Sequence, residues 1–150
     1  MERISKDEYY LGIAEAVLKR STCLKRQYGA VIVKNDEIIA TGYNGSPRGT
    51  KNCCDTDVCK RMEVPHNTGD YSDCCSVHAE QNAIISAPRR EMIGATLYLV
   101  GTECGFSQAT QNFLKAKKIK NAIPCPICDR MIRNAGIIRV VNREGEICLS

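Results

Sequence analysis

His78 and Glu80 stand two positions apart, and Cys125 and Cys128 three apart within Pro124-Cys125-Pro126-Ile127-Cys128. One imidazole nitrogen and two thiolates fill three corners of a tetrahedral zinc site. The fourth corner stays open for water, which separates a catalytic site from a closed structural one. Zinc lowers the pKa of such a water to about 7, so hydroxide is available at neutral pH. On a helix, residues two apart diverge by about 200°. His78 and Glu80 can therefore serve one site only where it surrounds a helix start. Glu80 is then left off the metal, free to move protons between the water and a substrate.

The elements that must position these groups are legible around them. Ser76 to Ile85 reads as the first turns of a buried helix. Cys125 and Cys128 fall on one face of a first helical turn, and Pro124 and Pro126 favour a helix start there. The orphan N–H groups and positive dipole end of that turn stabilise thiolates. Two helix N-termini aimed at one metal is the predicted architecture. Taken singly, each motif has a plainer meaning. His-Ala-Glu alone is usually an exposed helix turn, and Cys-x-x-Cys alone is a redox pair or half of a structural zinc site. Taken together, His-x-Glu and Pro-Cys-x-x-Cys resemble the known signature of zinc nucleobase deaminases.

Composition narrows the class. With 150 residues the chain is expected to be a single domain, residues 1–150, large enough for a real core. A net charge of +4 is too mild to argue for nucleic acid and leaves room for an anionic small substrate. With two Phe, no Trp and no basic stripe, little is available to stack bases. No apolar run approaches the ~20 residues that span a bilayer. Met1 to Glu8 lacks a signal-peptide apolar region. We therefore expect a cytoplasmic protein with neither membrane nor nucleic acid as partner. Ten cysteines in such a chain favour metal ligation over disulfides. Cys53, Cys54, Cys59, Cys74 and Cys75 crowd one segment that the first zinc does not explain.

Along the chain, Ser5 to Glu8 makes a capping box opening a helix to about Arg20, with Tyr9, Ile13, Ala16, Val17 and Arg20 at helical spacing. Residues 29–33 and 37–41 read as a hairpin about Asn35-Asp36. Residues 42–49 follow as a rigid loop of φ-permissive residues; its Asn and Arg suit a sugar hydroxyl or a phosphate, or only a turn. Residues 50–75 are polar and irregular, a length that calls for a function or a staple. The His78 helix runs to about Ala87, stopped by Pro88, and residues 96–100 form a strand. Residues 101–123 are a Lys-rich insertion with a short helix near 111–118, read as a solvated face. The Cys125 helix ends at about Ala135 before Gly136. Residues 137–141 and 146–149 are strands whose short turn permits only antiparallel pairing. The sum is a three-layer α/β/α sandwich with a mixed central sheet.

At this level of detail the chain resembles the deoxycytidylate deaminase family. The likeness is not confined to the zinc motifs. It covers Arg20 to Cys23, residues 29–33, Gly42-Tyr-Asn-Gly-Ser-Pro47, Asn52 to Asp55, Val77 to Ile84, Gly94 to Tyr98, Pro124 to Cys128 and Asn134 to Ile137. The Gly-Tyr-Asn-Gly-x-Pro loop separates this family from free-nucleoside and tRNA deaminases. The resemblance implies conversion of dCMP and water to dUMP and ammonia. His78, Cys125 and Cys128 would bind the catalytic zinc and Glu80 would shuttle protons. Asn44 would contact the deoxyribose, the Ala79 N–H would sit near the base, and Arg26 and Arg89 would be the phosphate contacts to test. Members are often hexamers, activated by dCTP and inhibited by dTTP with Mg2+. Some carry a second zinc, for which Cys23 and Cys53 fall at matching positions and Cys74 at a related one. Cys59 or His66 could complete that set, with Cys54 and Cys75 as rivals. The departure is the 47-position interval from His78 to Cys125, longer than is usual in the family. The insertion there lies near the zinc motif. Two other readings stay open: the same fold and chemistry on another cytosine nucleoside or nucleotide, and a non-enzymatic zinc module, which would not need Glu80.

Overall fold

Five strands pair side by side in the computed structural model, which describes residues 1–149. In chain order the elements are α1 (Lys6–Leu18), β1 (Arg26–Lys34), β2 (Glu37–Tyr43), α2 (Cys53–Thr56), α3 (Ala79–Ile85) and α4 (Arg89–Met92), then β3 (Thr96–Glu103), β4 (Phe106–Ser107), β5 (Asn112–Phe113), β6 (Lys117–Ile119), α5 (Pro126–Ala135), β7 (Arg139–Asn142) and β8 (Gly145–Ile147). The sheet order is β2-β1-β3-β7-β8. Only β3 and β7 run parallel, so the sheet is mixed as expected. β6 pairs with the far end of β3, beyond the rungs taken by β7.

Strand alternation builds two cores from one sheet. Ala30, Ile32, Leu97, Leu99 and Val140 face α3 and α5, while Val31, Val33, Tyr98, Val100 and Val141 face α1. Three layers result, as the order of elements implied. On α1 the inward residues are Tyr10, Ala14 and Leu18, one position on from the expected stripe, and Tyr9 is exposed. The hairpin turn has both central residues at positive φ, Asn35 at 51° and Asp36 at 61°, as a two-residue primed turn requires. The Ser5–Glu8 capping box forms, and Gly136 closes α5 at φ 90°.

Two expectations fail. No helix forms near 111–118; the insertion folds back as β4, β5 and β6, with β6 extending the sheet. Gly42 and Gly45 do not occupy the left-handed region that their loop suggested. Their lack of a Cβ matters instead. A Cβ on Gly42 would press on the backbone of Ala79 and Ala83, so α3 lies directly on β2 at that point.

Candidate active site

The N-termini of α3 and α5 meet above one end of the sheet. His78 is the residue capping α3, and its N–H donates to Gln81 Oε1 at 2.9 Å. Cys125 caps α5, with Pro126 as the first helical residue, and its Sγ accepts from the Cys128 N–H at 3.4 Å. His78 Nδ1 lies 3.6 Å from Cys125 Sγ and 3.3 Å from Cys128 Sγ. Among the described residues, these three form the one group of metal-ligating side chains whose atoms all lie within 4.8 Å of one another. One nitrogen and two sulfurs at that spacing suit zinc and leave one tetrahedral corner for water.

The electrostatics follow from the two helix starts. Hydrogen bonding from Cys128, then from His78 and the Cys128 N–H, holds the Cys125 thiol down at about 3. Cys128 is pushed up by that same partner and by burial, and the hydrogen bond to Cys125 raises His78. Before metal binds, the cysteines are therefore a thiolate and a thiol. Glu80 is 5% exposed, and burial raises its carboxyl above the usual range. It interacts with Cys128 from beside the triplet. A buried carboxylate without a salt-bridge partner among the described residues is expensive as structure. Beside a metal it is a proton carrier.

Neighbouring loops are tied to this site. Val77 and Gly45 exchange two backbone hydrogen bonds, at 3.1 and 2.7 Å. Asn82 Nδ2 donates to the Tyr43 carbonyl at 2.8 Å. The Asn44 side chain is 7% exposed and already makes three bonds: Oδ1 accepts from Ser21 Oγ and the Tyr28 N–H, and Nδ2 donates to the Arg26 carbonyl. One N–H remains for a ligand. Ala79 is fully buried at the first helical position, where its N–H is among the orphan donors.

The expected second metal set is only partly gathered. Cys53 Sγ lies 3.9 Å from Cys75 Sγ, and Cys23 Sγ lies 3.1 Å from Ser76 Oγ. Cys23 senses the charges of Cys74 and Cys59, and burial pushes its thiol up to about 11. No three of these sulfurs share the mutual reach of the first triplet. His66 is not with them: it lines a cavity with Lys25 and Arg26 and feels His78 and Cys125. Arg89 is not brought to the site either. It lies past the C-terminal end of α3 and its Nη2 donates to the Asn134 carbonyl near the end of α5. Both positions, past α3 and near the end of α5, lie at the helix ends opposite the ligands. Arg26 is the first residue of β1 and pairs with Glu103 at 3.3 Å. Sequence reasoning missed Tyr28, whose hydroxyl feels Glu80 and lies 3.5 Å from Arg26 Nη1. Its position two residues from Arg26, on the same face of a strand, was the available signal.

Sheet order, helix placement and the triplet together define a zinc deaminase of cytidine deaminase-like fold. The chain belongs to the cytidine and deoxycytidylate deaminase family, whose zinc-binding region matches residues 4–143. It is 38% identical to the deoxycytidylate deaminase of Mycobacterium phage D29, over 94% of this chain and 96% of that one. It is 41% identical to the deoxycytidylate deaminase of Saccharomyces cerevisiae, over 95% of this chain but 39% of the yeast protein. Among solved structures it is similar to the dCMP deaminase of cyanophage S-TIM5, at 25% identity. That match has a TM-score of 0.57 in the apo form, over 94% of this chain and 84% of the other. The same protein in complex with dCMP and dUMP gives a TM-score of 0.55, over 93% and 83%. No helix among the described residues is long and apolar enough to cross a membrane.

Proposed function

We propose that this protein is a hydrolase that converts dCMP and water to dUMP and ammonia. The observation that carries the reading is the triplet assembled beside the buried Glu80, in a chain alike to the D29 deoxycytidylate deaminase over nearly both full lengths. His78 Nδ1, Cys125 Sγ and Cys128 Sγ would hold zinc, which when bound would supply a water that ionises near neutral pH. Glu80 stays off the metal. Its carboxylate takes a proton from the attacking water, delivers it to the ring nitrogen beside the reacting carbon, and assists departure of the amine as ammonia. Ala79 presents its N–H to the base. Asn44 offers its remaining N–H to the deoxyribose while fixing the loop against β1, and Arg26 lies toward the phosphate.

The whole described chain acts as one deaminase domain, because its two cores lie on the two faces of a single sheet. A second, structural zinc would be held by Cys23, Cys53 and Cys74, with Cys59 rather than the distant His66 completing the set, a reading supported by the charges these thiols exert on Cys23 and Cys53. A homo-oligomer, as large as a hexamer, is supported by exposed Ile85, Ile127 and Ile138, at 72%, 55% and 74%. Control by dCTP and by dTTP with Mg2+, and action in the cytoplasm, rest on the family resemblance and on composition.

The reaction is tested by Glu80→Gln with zinc retained. We expect dUMP formation to fall by about 10²–10⁴-fold. Undiminished turnover would remove the mechanism. Competing dCMP against deoxycytidine, CMP and dCTP tests the substrate, and a preference for the unphosphorylated nucleoside would end the nucleotide reading.

A further inference from the structure

A cavity of about 490 Å³ opens at the first residues of β1, walled on one side by residues 62–66 and on the other by the end of β3 and the segment that follows it. Arg26 joins it to the metal site: its carbonyl accepts from Asn44 Nδ2 at 2.9 Å, and Gly45, next along, exchanges backbone hydrogen bonds with Val77, the neighbour of His78. Four cations line the cavity, Lys25, Arg26, Lys115 and Lys117, against two carboxylates, Glu63 and Glu103. Lys25 is committed to the carbonyls of Arg61 and Val64, and Arg26 to Glu103. Lys115 and Lys117 have no carboxylate partner among the described residues.

The strand register orders these groups. Arg26 sits opposite Glu103, which sits opposite Lys117, so three strands contribute one charged rung. Tyr28, Gly101 and Ile119 form the rung two residues further in, on the same face. That face is the one covered by α3 and α5, since Ala30 and Ile32 continue it. Gly101 leaves room there for the Tyr28 ring. Outward from Glu80, the order is therefore Tyr28, then the Arg26–Glu103–Lys117 rung about 7 Å further along. A nucleoside monophosphate has the same polarity, with its dianion a sugar away from the base.

We propose that Lys115 and Lys117, with Arg26 and His66, form the subsite for the substrate's 5′-phosphate, so that the insertion makes this enzyme choose a nucleotide over a nucleoside. The proposal rests on the deaminase reading of the site. It assigns a role to the segment that the sequence presented as a solvated face. A phosphate entering there meets two unpaired ammonium groups and an imidazole whose pKa is lowered first by burial and then by Arg26 and Lys25, and its charge favours protonation of that imidazole.

The test uses the zinc-loaded full chain and its Lys115→Gln/Lys117→Gln variant. We expect the ratio of kcat/KM for dCMP to that for deoxycytidine to fall about ten- to a hundredfold, mainly through KM. Lys115→Arg/Lys117→Arg should restore most of it. The second readout is the His66 imidazole resonance, assigned with His66→Gln, since the chain holds only two histidines. Inorganic phosphate should shift it saturably in the parent protein and far less in the Gln variant, and should compete with dCMP. An unchanged ratio, no His66 response, or phosphate inhibition that dCMP does not relieve would each overturn the proposal. If the parent deaminates neither compound, the reaction reading fails, while the His66 titration still judges the subsite on its own.

Discussion

Cys125 and Cys128 meet His78 at the starts of two helices, whereas Cys23, Cys53, Cys59, Cys74 and Cys75 approach one another from loops and one turn of helix. The contrast shows what holds sulfur ready for a metal. In the first group, α3 and α5 pack on a sheet whose facing residues are fully buried, and that packing fixes each capping residue. The three ligand atoms all lie within 4.8 Å of one another. In the second group, Cys53 and Cys75 approach to 3.9 Å, but Cys23 turns to the Ser76 hydroxyl. Nothing there has the stiffness of two packed helices. A metal would have to supply the last part of the organisation, so binding and ordering of that segment would be one event.

Ligand removal should separate the regions most strongly. Cys125→Ser is expected to abolish deamination to background and to remove one zinc per chain, measured by metal analysis of purified protein. Cys53→Ser should also remove one zinc, while lowering turnover by no more than about 10–100-fold, the range for residues that support a metal site without ligating it. If the parent already binds a single zinc, the second group is a set of thiols and the two regions differ in kind.

The pH dependence of alkylation sharpens the same contrast in metal-free protein. Cys125 is held down at about 3, so it is thiolate throughout the neutral range. Cys23 is pushed up to about 11, chiefly by burial, so it is a thiol there. Below its pKa the thiolate fraction rises about tenfold per pH unit. Labelling of Cys23 should therefore climb roughly a thousandfold between about pH 6 and pH 9, while labelling of Cys125 stays flat. Mass spectrometry of iodoacetamide-treated protein reads both sites. Parallel pH curves for the two would dissolve the distinction.

The better-ordered region was also the more legible in sequence. His-x-Glu and Pro-Cys-Pro-Ile-Cys each carry their own helix start, so local rules placed all three ligands. Ser5-Glu8, Asn35-Asp36 and Gly136 were readable for the same reason, since caps and turns are decided within a few residues. What escaped depends on partners far along the chain. Lys117 gains its meaning only when β6 pairs with β3 and sets it beside Glu103. His66, offered with the cysteines as a ligand of the second zinc, lines instead a cavity with Lys25 and Arg26. Arg89 followed the motif helix in sequence, and the length of that helix carried it to the wrong end. Gly42 was noticed, but for its backbone freedom, when contact with α3 was the reason.

That glycine gives the smallest and most local test. Gly42→Ala would drive its methyl into the backbone of Ala79 and Ala83, which cannot yield without lifting the start of α3. Overpacking of this kind costs about 1–3 kcal/mol, and because His78 precedes Ala79, zinc affinity should fall together with stability. Gly45→Ala meets the Thr22 side chain instead, which a χ1 rotation can move aside. We expect Gly45→Ala to cost under about 1 kcal/mol in urea denaturation and to leave the first zinc site intact. Equal losses from both substitutions would mean that the seat of α3 on β2 does not hold His78 in place, and that the triplet owes its order to something other than helix packing.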